Sequence, residues 1–454
     1  MPVDVLMVGT GEYTTGFGAS AGSDKRRGVV ALVTLDLRAR GVVRAVHMAG
    51  SDGSKLPAIR AHVEAELRGA YPATFAAADA LAMTTYPEDG VRDGAAYKAA
   101  LAALPRGSAV IIFTPDDTHF PIALDAIRAG MHVLVTKPIT LTLAHQAELV
   151  AAAKEAGVLC AGEFHKRWDP IYSDARDRLR KLGDLSFYTC VAPFCARASV
   201  WWVFILPFFS RARHQTPRAP PPPPPPRRSA YMSQPKLQLD TFSAWAGKSS
   251  DISYYLNSHH VDYCEWVTQG RGRPLRVTAA AATGVAAARL GRPCEDTISL
   301  TAHWENLPSR NIAVATFVSS WVAPPADVHS QQRFFAMMHQ GEATVDQCHR
   351  GFSTSTEAAG YASPNPLFMR YTPDDAGRFA GQGAYGFRSI EAFLRAAAAG
   401  DASGAGLATA AHTLQGAAVL EAGRRSLDAG GRAVRVLYAD ADSQTPIGLE
   451  LEAY

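Results

Sequence analysis

The chain has 454 residues, of which 47% are hydrophobic and 19% charged: too long for one ordinary core and apolar enough to bury more than one. Forty-five Lys plus Arg against forty-two Asp plus Glu leave +3, which excludes the charge footprint of a nucleic-acid or anionic-membrane binder. The six cysteines lack metal-ligand spacing and the N-terminus lacks a signal-peptide pattern, so free thiols, no metal and a cytoplasmic setting are expected.

The first strand, Val3–Val8, runs into Gly9-Thr10-Gly11. A glycine turn there lets backbone amides approach a pyrophosphate unobstructed, with Glu12 and Tyr13 following at the same site. The third fingerprint position is Thr14, and helix periodicity resumes only near Val29. Further strands are predicted over 42–48, 109–114, 131–135 and 158–164, and helices over 29–40, 56–68, 95–104, 121–129 and 143–156, the last capped by Gly157. This alternation predicts a doubly wound parallel sheet over residues 1–165 that binds its ligand beyond the strands' carboxyl ends.

Candidate contacts stand at those ends. Ala49 occupies the tip where a ribose-gripping carboxylate normally stands, leaving Asp52 to reach back, or Ser51, Ser54 and Lys55 to receive a 2′-phosphate. The coenzyme is therefore NAD or NADP, with a lean to NADP. Thr114 and Pro115 are placed under the nicotinamide ribose with His119 close by, and Lys137-Pro138 closes the strand predicted over 131–135.

Residues 166–454 read as an α+β domain. It has a helical stretch over 251–267, strands over 275–282, 297–304, 312–320, 333–338 and 343–349, and closing helices over 389–399 and 407–428. Along the last of these strands Asp346, Cys348 and Arg350 are expected to share one face, with Gln347 and His349 on the other. The irregular stretch 371–386 is a candidate for substrate or subunit contacts.

One segment fits nothing. An apolar run over 199–209 and seven prolines over 220–226 are too short for a bilayer crossing and unsuited to a strand. The flanks 185–189 and 231–235 would join into one strand without them. Residues 191–229 are read as a poorly ordered extrusion and a candidate for translated non-coding sequence; the competing reading, a proline-rich ligand for SH3-like modules, is disfavoured because seven prolines in a row offer such grooves no distinctive flanking anchor.

With Gly9-Thr-Gly11, Thr114-Pro-Asp-Asp-Thr-His119, Thr136-Lys137-Pro138 and His259-His260-Val-Asp262 in this order, the chain resembles the glucose-fructose oxidoreductase, inositol dehydrogenase and MocA family. The resemblance implies a Rossmann domain, a second domain whose open sheet serves homo-oligomerisation, and NAD(P)-linked redox at a secondary alcohol of a sugar, sugar acid or cyclitol. Two positions depart from the family pattern: Thr136 replaces a glutamate, and Tyr255 replaces an aspartate four residues before His259.

On this reading His259 is the general acid/base, with His260 as its rival, because imidazole titrates near neutral pH. Lys137 stabilises developing alkoxide charge. His165, Lys166 and Arg167, with Tyr255, Asn257 and Asp262, are the candidate substrate contacts. The competing expectation is a catalytically inactive dinucleotide-binding regulator of the same fold.

Overall fold

A computed structural model describes residues 1–19, 25–189, 232–326, 330–357, 360–401 and 406–453. Strands β1 (Val3–Val8), β2 (Val43–Ala49), β3 (Thr84–Tyr86), β4 (Ala109–Ile112), β5 (His132–Thr136) and β6 (Cys160–Glu163) form a parallel sheet in the order 6-5-4-1-2-3. Helices cover both faces, so β1 and β4, in the middle of the sheet, are buried at every residue, as central parallel strands must be. The helix Leu143–Ala156 ends on Gly157 at φ 67°, the left-handed cap that glycine adopts without penalty. Strand order reverses between β1 and β4, which opens the crevice there.

The second sheet is mixed and mostly antiparallel. It contains β7 (Leu185–Thr189), β8 (Met232–Pro235), β9 (Gly272–Thr283), β10 (Glu295–Asn306), β11 (Ile312–Ala323), β12 (Gln331–Met338) and β13 (Gly341–Asp346), with Val434–Tyr438 and Pro446–Leu451 beyond β9. Burial alternates residue by residue along β10: Ile298, Leu300, Ala302 and Trp304 enter the core, while Thr297, Ser299, Thr301 and His303 form the more open face.

β7 and β8 are two pieces of one strand. Thr189 pairs with Thr316 on β11 and Phe335 on β12, and Met232 pairs with Ser319 and Gln332. The partners stand three positions apart on both neighbours, which leaves room for two residues between Thr189 and Met232. The expected extrusion over 191–229 lies outside the described residues. A chain lacking residues 191–230 keeps Cys190 and Tyr231 as that two-residue bridge. It is expected to match the parent in thermal midpoint and dinucleotide affinity, and an insoluble or cofactor-blind deletion would overturn this register argument.

The division at 165/166 is crossed by the chain's later part. Helix Tyr385–Ala399 buries Phe387, Ile390, Phe393 and Leu394 in the first domain's core, and Ala408–Thr409 adds an antiparallel edge to β6. The helix expected over 407–428 therefore starts only at Leu414. The two strands that follow it, and β3, escape pattern reading because a short strand is defined by its partners more than by its composition. β13 also stops at Asp346, whose Oδ1 accepts from Cys348 N at 2.8 Å. That turn breaks the expected strand alternation through Arg350, which instead pairs with buried Asp169 at 2.6 Å.

Candidate active site

The carboxyl ends of the parallel strands and the second sheet enclose a cleft of about 1550 Å³. Its floor begins at the β1 turn. Gly9 has φ +108°, and a Cβ there would stand 2.0 Å from Phe113 O, whereas a Cβ on Gly11 would meet nothing within 4 Å. The first glycine is thus required by the packing of β1 against β4, and the second leaves backbone facing open space. Such a cradle fits a pyrophosphate. Thr10, Glu12 and Tyr13 line the same floor, and Tyr13 stacks on Phe113 at 4.9 Å and 10°. The helix beyond the turn, Glu12–Thr15, is one turn long, and the main crossover helix waits until Val30–Ala39.

At the tip of β2, Gly50 and Ser51 reach the cleft. Asp52 does not: its Oδ1 accepts from Ser54 N at 3.1 Å and its Oδ2 faces Arg92 at 3.4 Å. It caps the turn Gly53–Lys55, so its carboxylate is already spent on local structure.

Thr114 and Pro115 line the cleft, but the ring of His119 is completely buried. Its Nδ1 lies 2.8 Å from Pro138 O and its Nε2 2.9 Å from Thr114 O. His119 is therefore a brace that ties the β4 exit to the β5 exit, which corrects its placing as a direct cofactor contact. Pro138 lies behind the cleft wall, joined to Lys137 by a cis peptide bond.

Lys137 enters the cleft at the end of β5. Its Nζ donates to Tyr255 O from the other domain and sits 4.1 Å from the Tyr255 ring centre. Burial lowers its pKa to about 8, opposed by the fields of Asp116 and Glu163. Asp116, which accepts from Ser250 Oγ, is itself raised, mainly by burial.

A widened helical turn over Ser253–Asn257 leads into helix Ser258–Thr268, where the paired histidines diverge. His260 is fully buried, with Nε2 3.2 Å from the Tyr172 hydroxyl; it is a core residue, which removes it as the rival base. His259 lines the cleft, and its Nδ1 is buried without a hydrogen-bond partner. Burial, then the fields of Lys137, Lys166, His165 and His260, push its pKa well below the ordinary 6.5. A neutral imidazole so placed can orient a hydroxyl, but it accepts a proton poorly.

Among the expected substrate contacts, His165 and Tyr255 line the cleft. Lys166 is only 1% exposed and donates to the side chains of Gln332 and Gln347, so it acts behind those two cleft-lining amides. Arg167 and Asp262 are corrected outright: they form a buried two-point ion pair at 3.0 and 2.6 Å. Asn257 is likewise buried, donating to Ser253 Oγ at 3.1 Å.

Sequence reading passed over two features. Phe242 and Trp245 join Tyr255 in an aromatic wall with ring centres 5.0 to 5.6 Å apart; their signal lay in a segment with no clear periodicity. The second is Glu163, which meets His165 at 3.1 Å. Among the described residues no group of three or more His, Cys, Asp or Glu is placed to hold a metal ion, and no helix is long and apolar enough to cross a membrane.

Residues 3–164 match the model of Gfo/Idh/MocA, an oxidoreductase family with an NAD-binding Rossmann fold. The chain is 40% identical over 75 residues to scyllo-inositol 2-dehydrogenase (NAD(+)) of Bacillus subtilis, covering 16% of this chain and 22% of that one. It is 36% identical over 92 residues to 1,5-anhydro-D-fructose reductase of Ensifer adhaerens, covering 20% and 28%. Its matches thus span about a quarter of these relatives' length. The fold is similar to that of scyllo-inositol dehydrogenase from Lactobacillus casei with bound NAD(H) and scyllo-inositol, with a TM-score of 0.58 and 13% identity over 96% of this chain and 99% of that one.

Proposed function

We propose that the chain, whose residues 3–164 match the model of the Gfo/Idh/MocA family of NAD-binding oxidoreductases, is an NAD(P)-dependent oxidoreductase. Its substrate would be a secondary alcohol, or the matching ketone, of a sugar, sugar acid or cyclitol. The observation that carries this reading is Lys137, a half-buried ammonium that lines the same cleft as the glycine turn and is held there by the second domain's Tyr255. A bound nicotinamide would take the hydride from the carbinol carbon. Lys137 holds the oxygen and offsets its growing negative charge, and it has donors left after the one given to Tyr255 O. His259 lines the same cleft and helps to orient the hydroxyl.

The aromatic wall favours a ring-shaped polyol, since the apolar faces of such rings pack on aromatic side chains while their hydroxyls reach amides such as Gln332 and Gln347. A screen of reduced-cofactor formation across aldoses, uronic acids and cyclitols tests this reading. Dinucleotide binding without turnover on any of them would favour the inactive regulator instead. Homo-oligomerisation through the open face of the second sheet is part of the proposal, and light scattering in solution checks it.

NADP is the favoured coenzyme, because the β2 tip presents Ser51 while Asp52 is engaged by Ser54 and Arg92. Ser51→Asp is expected to weaken NADP binding about tenfold, the ~1.4 kcal/mol of one charge-assisted hydrogen bond, and to spare NAD. Equal losses for both dinucleotides in a fluorescence titration would count against the assignment.

A further inference from the structure

We propose that the hydroxyl proton is taken by His165, held as a base by Glu163, so that the proton acceptor comes from the first domain and not from the helix that carries His259. This rests on the oxidoreductase reading above.

Glu163 ends β6 and is 2% exposed. Its Oε1 accepts from Ser389 Oγ at 2.7 Å, which anchors it to the helix Tyr385–Ala399. Its Oε2 lies 3.1 Å from His165 Nδ1. A carboxylate oxygen can only accept, so the hydrogen sits on Nδ1 and Nε2 is left with its lone pair. The ring is held flat against Tyr385, with centres 5.7 Å apart at 20°, and edged by Phe368 at 5.4 Å. A side chain fixed on two sides and by its own hydrogen bond is pre-organised.

Its position suits the task. The His165 and His259 ring centres are 5.1 Å apart, both line the cleft with Lys137, and Glu163 lies close enough to Lys137 for its field to oppose loss of the ammonium proton. Burial first, and then the neighbouring cationic groups, depress the basicity of His259, and among the described residues no ion pair joins it to a carboxylate. The division of labour follows. As the C–H electron pair leaves the carbinol carbon for the nicotinamide, the O–H bond breaks. Its electron pair becomes the second bond of the ketone, and its proton forms the N–H bond at His165 Nε2. The imidazolium then returns that proton to solvent at the cleft mouth.

Two measurements test this, and only one needs turnover. In the resting holoprotein, nitrogen-15 shifts are expected to show His165 as the Nδ1–H tautomer, with this preference lost in Glu163→Gln. An Nε2–H tautomer in the parent overturns the proposal whatever the activity. In turnover with a polyol found by the screen, His165→Ala is expected to lose about 10²-fold in kcat, in the range of general-base catalysis. It should keep its dinucleotide affinity and recover part of the rate with added imidazole. His259→Asn is expected to act mainly on KM. Imidazole rescue of His259→Ala, with His165→Ala near parental rates, would overturn the assignment. If the parent oxidises no polyol, the oxidoreductase reading fails, while the nitrogen shifts still decide the tautomer.

Discussion

Replacing Lys137 with methionine is expected to lower kcat about 10²- to 10³-fold while dinucleotide affinity stays close to that of the parent. The range is that found when one preorganised donor to a developing oxyanion is removed from a water-poor site. Methionine keeps the length and packing against the Tyr255 ring while removing the charge and the hydrogen bond to Tyr255 O, so the thermal midpoint is measured alongside the rate. The same ammonium sets a pH dependence. Burial brings its pKa from 10.5 to about 8, so the charged form that steadies the alkoxide disappears as the pH rises through about 8. Alcohol oxidation in the parent should therefore lose its electrostatic support above that pH. Lys137→Arg, which stays protonated throughout, should not show the step. The stability effect has the opposite sign: a lysine depressed in the fold contributes fully above 10.5 and loses that contribution as pH falls toward 8. Alkaline loss of activity consequently cannot be attributed to this residue unfolding the chain. A variant with parental kcat, or an unchanged alkaline limb in Lys137→Arg, would remove Lys137 from the chemistry.

Much of the parallel sheet was legible because β1 and β4 are apolar runs that lead into glycine or proline turns, and because helix Leu143–Ala156 stops on a glycine. The dinucleotide turn was legible for the same local reason. What could not be read were partners distant in sequence. Nothing near His119 announces that its two nitrogens face Pro138 and Thr114, and nothing near Glu163 announces Ser389, 226 residues away. Charged residues beside a catalytic motif look alike in sequence whether they face a cleft or each other. His165, Lys166 and Arg167 are consecutive, yet they go to the cleft, to the back of a pair of glutamines that line it, and to a buried aspartate. A short 3₁₀ turn over His165–Trp168 fans them out, and only the packing of the second domain decides which direction is wet.

That buried aspartate carries the other large expectation. Asp262 is 3% and Arg167 4% exposed at the side chain, and the guanidinium also lies 5.5 Å from the Trp266 ring. Asp262→Ala strands a cation in a dry site, which typically costs about 3 to 5 kcal/mol. Glu265 moderates the loss. Its carboxyl is pushed up to about 8 by burial and by the field of Asp262, with Arg167 opposing. Once Asp262 is gone, Glu265 gives up its proton more readily and partly replaces the lost charge, so the expected destabilisation lies at the lower end, about 3 kcal/mol. Denaturant unfolding of the variant measures it. The paired change Arg167→Met with Asp262→Leu, which removes both charges and fills the space, should recover most of the difference, because two desolvation penalties vanish with the ion pair. Kinetics separate this role from substrate binding: the surviving folded fraction of Asp262→Ala should retain the parental KM. A KM raised tenfold with unchanged stability would instead return Arg167 and Asp262 to the substrate site.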